Sequence, residues 1–142
     1  MKKLRSGITV IVSACGLLLA GSGCAPVQTA VSVEPGVAFT LAPGQTATVR
    51  GTNTRITFTQ VREDSRCPVD VTCVWEGDAK TEIAVSREGG AEETRTLSLR
   101  PPGNEAQAGR LTIRFVGLSP VPRQSEANRP KKYLAEFVAN AL

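Results

Sequence analysis

Apolar and polar side chains alternate along most of this chain. Val37, Phe39 and Leu41 share one parity, as do Ala47 and Val49, Ile56 and Phe58, Ile83 and Val85, and Leu97 and Leu99. Leu111, Ile113 and Phe115 continue the pattern; Tyr133, Ala135 and Phe137 close it, with Leu134 and Val138 facing the other way. The residues between are mostly Thr, Arg, Ser and Glu. A period of two sets one face against a core and the other in water, which predicts strands. Turn formers separate the runs at Ala42-Pro43-Gly44-Gln45, Gly51-Thr52-Asn53, Glu88-Gly89-Gly90 and Pro101-Pro102-Gly103-Asn104. Seven short strands so punctuated predict an all-β fold, a single antiparallel β-sandwich or small barrel over residues 37–142. The pairings best marked by their turns are the hairpins 37–41/46–50 and 81–87/94–100. Two connections, 62–79 and 118–131, exceed the usual loop length, and loops of that size tend to carry function.

The N-terminus follows another rule. Lys2, Lys3 and Arg5 precede an apolar run from Ile8 to Ala20, and Gly21, Ser22 and Gly23 lead to Cys24. A basic start, a short apolar stretch and small residues predict a secretory signal peptide over 1–23. A membrane span needs about 20 apolar residues, and this run stops short of that. Cys24 after small residues resembles a bacterial lipobox, so Cys24 is the expected lipidated N-terminus of an envelope lipoprotein, with 24–36 (rich in small and polar residues, with two prolines) as a flexible tether. Gly21 departs from the aliphatic residue usual at its position. Val12-Ser13-Ala14-Cys15 fits the letters of that motif but leaves too short an apolar run before it, and cleavage after Ala25 would put Pro26 just past the cut. Ala25 after the cysteine resembles the signal for outer-membrane sorting.

Removing that segment changes the charge. The full chain has 17 Lys and Arg against 13 Asp and Glu, a net charge of +4; without Lys2, Lys3 and Arg5, 14 cations face the same 13 acids, leaving +1. Nucleic-acid binding, which needs a strong cationic patch, is not expected. With Cys15 removed and Cys24 lipidated, Cys67 and Cys73 remain, and an even remainder in an oxidising compartment predicts one disulfide. Closing so short a ring is worth roughly 2 kcal/mol by chain entropy. The chain has no histidine, which removes Ser-His and Cys-His catalysis and leaves the cysteine pair a poor zinc site. No cofactor is expected.

The most distinctive stretch is Glu63-Asp-Ser-Arg-Cys-Pro-Val-Asp-Val-Thr-Cys-Val-Trp-Glu-Gly-Asp-Ala79. Asp64, Ser65, Arg66, Cys67, Pro68, Cys73, Trp75, Gly77 and Ala79 resemble the Asp-Ser-Arg-Cys-Pro…Cys-x-Trp-x-Gly-x-Ala core of a family of small bacterial secreted proteins and lipoproteins. The Leu118-Ser119-Pro120 turn and the closing Tyr133 strand extend the resemblance over most of the domain. It implies an exported all-β domain and attaches no activity. Two roles compete for this segment. As scaffold, Arg66 lies between Asp64 and Asp70 for a bidentate pair, Gly77 supplies a positive φ, and Trp75 packs on the disulfide or the sheet. As a recognition loop, the closed ring presents Arg66, Val69, Asp70, Val71 and Thr72, with Trp75 as anchor, to an envelope protein or another envelope component. A protease-inhibitor-like loop is a special case of the second role. Asp64, Asp70, Glu76 and Asp78 are the candidates for calcium, and with Glu63 for a carboxylate hydrolase. Arg95, Arg110, Arg114 and Arg123 are expected on outward faces, solvated or turned toward an anionic envelope surface.

Overall fold

The computed structural model describes residues 30–142; the expected signal peptide and Cys24 lie outside the described residues. Nine strands form two sheets: β1 (Ala30–Val33), β2 (Ala38–Leu41), β3 (Thr46–Val49), β4 (Thr54–Asp64), β5 (Ala79–Arg87), β6 (Glu93–Ser98), β7 (Glu105–Ala108), β8 (Leu111–Ser119) and β9 (Leu134–Ala141). One sheet runs β1-β3-β4-β5-β6 and the other β2-β9-β8-β7. The described residues form a β-sandwich, and all pairings among them are antiparallel except β1 with β3.

The alternating positions do form the core. Leu41, Ile56, Phe58, Ile83, Leu97, Ile113, Phe115 and Phe137 are all buried. Phe137 is the centre: its ring lies 5.5 Å from Phe115, 6.1 Å from Phe39 and, across the sandwich, 6.0 Å from Phe58. Tilted and edge-on contacts of this kind add to the burial of each ring.

The hairpin 81–87/94–100 is present as β5–β6, with Ile83 opposite Arg95. The hairpin 37–41/46–50 is not. Gly44 and Gln45 lie in an arch that carries the chain from one sheet to the other, so β2 pairs with β9 while β3 pairs with β4. The Gln45 side chain accepts the Ala42 N–H at 2.8 Å, and Gly44 N–H donates to Phe58 O at 2.7 Å. Alternation shows which side chains are buried, not which sheet they belong to. The arch wins because it faces Phe39 and Leu41 toward Ala47 and Val49, two apolar faces that a flat hairpin would leave side by side. Two strands had too little apolar signal to be expected. β7 carries no side chain larger than Ala on its inner face, and β1, of which only Val33 is buried, occupies part of the stretch expected to be tether. The domain therefore includes Ala30–Val33, and Val37, expected inward, is exposed.

Register shifts between Phe58 and Gln60 and between Val61 and Glu63 mark two irregularities in β4. Each inserts a residue and resets the parity. The inward positions become Phe58, Val61 and Asp64, opposite Ile83, Thr81 and Ala79. Gln60 and Arg62 turn outward, where both reach Glu82, at 3.1 and 2.6 Å. Without the bulges an unbroken alternation would send Gln60 and Arg62 into the core. With them Val61 takes the inward place between Phe58 and Asp64, and Asp64 faces in at the end of β4.

Phe137→Ala should lower stability by about 3–5 kcal/mol in a urea melt. A loss below about 1 kcal/mol would mean that the core is not organised around that ring.

Candidate functional site

Asp64 closes one end of the sandwich. Its side chain is 5% exposed and that of Arg66 is 12%. Arg66 grips it in bidentate fashion, Nε donating to Oδ1 at 2.7 Å and Nη2 to Oδ2 at 3.1 Å. Tyr133 O–H and Lys131 Nζ donate to Oδ2 at 3.0 and 3.3 Å. The remaining Arg66 donors reach the carbonyls of Leu118 and Pro120, the latter at 2.9 Å. One ion pair thus joins the end of β4, the end of β8, the following proline-rich loop and the approach to β9.

Burial of the Asp64 carboxyl favours its neutral form. The hydrogen bonds from Arg66, Tyr133 and Lys131 and the Arg66 charge outweigh it, holding the pKa at about 2, below its ordinary 3.8. The Tyr133 hydroxyl is pushed up by burial and by its bond to the same carboxylate.

From this pair the chain continues into the disulfide loop. Ser65 N–H donates to Asp78 O at 2.8 Å and Cys67 N–H to Glu76 O at 2.9 Å, so a two-rung stem prolongs the β4–β5 ladder. Cys67 and Cys73 are bonded, with Cα atoms 5.9 Å apart. Gly77 has φ +66°, and a Cβ there would stand 1.7 Å from the Ser65 carbonyl oxygen. No residue but glycine fits that close approach.

The loop also lies on the proline-rich segment. Val69 N–H donates to Pro122 O at 3.0 Å. Asp70 accepts the backbone N–H groups of Gln124 at 2.7 Å and Ser125 at 3.2 Å, which open the 3-10 turn Gln124–Glu126. Those two donors lower the Asp70 pKa. Asp70 is therefore a brace for 118–131 and not a partner of Arg66, which pairs with Asp64 alone.

The remaining acids are held separately. Glu76 pairs with Arg100 at 2.5 Å and Glu63 with Lys80 at 2.8 Å. Asp78 accepts the N–H groups of Ala79 and Leu99, at 2.8 and 3.2 Å, and the Ser98 hydroxyl. Among the described residues no three His, Cys, Asp or Glu side chains are grouped to hold a metal ion. The calcium set Asp64, Asp70, Glu76 and Asp78 does not converge, and neither do the carboxylates of the hydrolase alternative. Each found a nearer donor.

Of the residues expected to make a recognition loop, Val69, Val71, Thr72 and Trp75 are exposed, and Arg66 is turned inward. Trp75 is 78% exposed, so it is packed neither on the disulfide nor on the sheet. Val74 beside it is fully open to solvent, a position the sequence did not single out. Sequence reasoning also missed Lys131 as a partner of Asp64 and Gln124 and Ser125 as partners of Asp70. No local signal marks them, because 54 or more residues separate each pair apart from the fold.

No family model, curated protein or solved structure matches the chain. What the site can do is therefore argued from its geometry. It is a covalently closed loop with exposed apolar side chains, whose carboxylates are each engaged by a cation or by backbone N–H groups.

Asp64→Asn would leave the Arg66 charge enclosed without its partner, and stability should fall by about 3–5 kcal/mol. The folded pKa of Asp64 lies below the unfolded one, so its contribution is complete above about pH 4 and drains away as pH falls towards 2. A wild-type melting series should lose roughly 2 kcal/mol across that window through this group, and the Asn variant should lack that part of the slope; parallel curves would refute the assignment. Gly77→Ala should cost at least about 2 kcal/mol, the left-handed backbone alone accounting for 1–2. An unchanged melting midpoint would contradict the Ser65 contact.

Proposed function

We propose that this chain is a non-enzymatic domain tethered to the cell envelope by lipid on Cys24, binding an envelope partner through the disulfide-loop end of the sandwich. The observation that carries the proposal is the exposure of Val69, Val71, Val74 and Trp75 on a loop fastened from both sides. A ring held by a disulfide, a two-rung stem and the Asp70 brace has little conformational entropy left to lose on binding. Trp75 is 78% exposed, and exposed aromatic side chains are common anchors of interfaces. The dispersal of the acids, Asp64, Glu63 and Glu76 among separate cations and Asp70 and Asp78 among separate N–H groups, supports binding over hydrolysis or calcium coordination. The Cys67–Cys73 bond supports export, since such bonds are rare in reducing compartments.

The test is a photo-crosslinking residue placed at position 75 and, as control, at Arg110 at the far end of the sandwich, in cells with intact envelopes. Position 75 should give adducts with protein or lipid and position 110 should not; equal labelling at both, or none at 75, would overturn the proposal. Cys24→Ser should release the protein from the membrane fraction, and its retention there would refute the anchor. Trp75→Ala should alter stability by no more than about 0.5 kcal/mol, so a loss of adducts from a crosslinker placed instead at Val71 in that variant reports binding and not unfolding.

A further inference from the structure

Exposed apolar side chains are unevenly distributed over the sandwich. Val69, Val71, Val74, Trp75, Val121 and Leu134 lie at the disulfide-loop end, while Val31, Val37, Val116 and Leu142 are scattered elsewhere. Beside the loop is a groove of about 400 Å³ with Val121, Pro122, Pro130 and Leu134 among its apolar lining. Arg123, Arg129, Lys131 and Lys132 line it too, against one carboxylate, Glu126. Arg129 is paired with Glu126 and Lys131 with Asp64; Arg123 and Lys132 have no carboxylate partner among the described residues. An apolar crest next to uncompensated cations matches a surface that is anionic outside and apolar beneath.

The direction of β1 adds a second, independent constraint. It runs parallel to β3 and so antiparallel to β4, with Ala30 level with Thr46 and Thr57. The N-terminal end of β1, at Ala30, therefore points toward the end of the sandwich at which β4 leads into the disulfide loop. Only residues 25–29 separate Cys24 from Ala30, a reach of roughly 20 Å at full extension. Along β4 the distance from Thr57 to Asp64 is roughly 23 Å, slightly more than that reach. A lipid on Cys24 therefore holds Ala30 within roughly 20 Å of the bilayer, and the disulfide-loop end meets that surface with the sandwich inclined and not upright.

We infer that the disulfide-loop end docks on the bilayer that holds the anchor, with Val74 and Trp75 entering the headgroup region and Arg123 and Lys132 meeting anionic phospholipid. This rests on the proposed tethering and names the partner of the same surface. Tryptophan is favoured at that depth because its ring is apolar and its N–H is not. Two basic side chains add an attraction that salt weakens. The tether makes the contact intramolecular, so an intrinsically weak affinity suffices.

Trp75 is the single tryptophan of the chain, so its fluorescence reports the contact directly. The probe is the mature chain 24–142 carrying Cys24→Ser, without lipid, mixed with vesicles of phosphatidylcholine alone or with phosphatidylglycerol. The anionic vesicles should shift Trp75 emission to shorter wavelength and co-sediment the protein, with loss of both at high salt and in the Arg123→Glu, Lys132→Glu double variant. Trp75→Ala should reduce sedimentation while its melting curve stays unchanged. Unshifted emission with no sedimentation on anionic vesicles would overturn the inference, and so would equal binding to neutral vesicles or by the double variant. If vesicles fail while a crosslinker at position 75 captures an envelope protein, the bilayer is not the partner and the proposed function stands. If position 75 labels nothing in envelopes, that proposal falls too.

Discussion

The ion pair between Asp64 and Arg66 is the constraint on which the rest of this end of the molecule depends. Two charges enclosed at the mouth of a sandwich are costly unless every donor and lone pair is answered. Here most are: Asp64 receives Arg66, Lys131 and Tyr133, and Arg66 also reaches the Leu118 and Pro120 carbonyls. An apolar pair in the same place would give similar burial without direction. The charged pair accepts only one arrangement of the segments around it, and so places the disulfide loop and the proline-rich loop side by side.

Everything that positions the pair is backbone geometry. The two bulges of β4 bring Val61 inward in place of Gln60 and Arg62 and, cancelling in parity, leave Asp64 facing in. Gly77 lets the returning strand pass within contact of Ser65, closing the stem beneath the Cys67–Cys73 bond. The disulfide acts on the unfolded chain by shortening its loop, whereas Asp64 and Asp70 act on the folded one by fastening the loop to 118–131. These contributions are complementary, and together they explain how a segment exposing Val74 and Trp75 holds a defined shape without a core of its own.

That division of labour also shapes the functional reading. The conspicuous acids of the segment are structural: Asp70 caps a turn, Glu76 and Glu63 are each paired to one cation, and Asp78 ties β6. Each acid is engaged by a cation or by backbone N–H groups, and Val69, Val71, Val74 and Trp75 stand exposed above them. A surface of that kind suits recognition by fit and partition, and this is the ground on which binding is proposed.

Much of the architecture was legible in the chain because burial imposes a period of two on a strand with one wet face. That period located the core residues around Phe137, and turn chemistry placed the β5–β6 hairpin and the positive φ of Gly77. The even remainder of Cys67 and Cys73 after the expected loss of Cys15 and lipidation of Cys24 was enough to expect their bond. β1 and β7 were missed because Ala and Ser hold too little apolar surface to leave a pattern, and the 37–41/46–50 pairing was misassigned because parity carries no record of which sheet a strand joins. The partners of Asp64 and Asp70 lie far away in sequence, and whether Trp75 is anchor or filler depends on what the fold brings near it. Local pattern thus determined which side chains leave water. Only the tertiary structure decided which of them meet, because contact across a sandwich is set by sheet assignment and register rather than by neighbours along the chain.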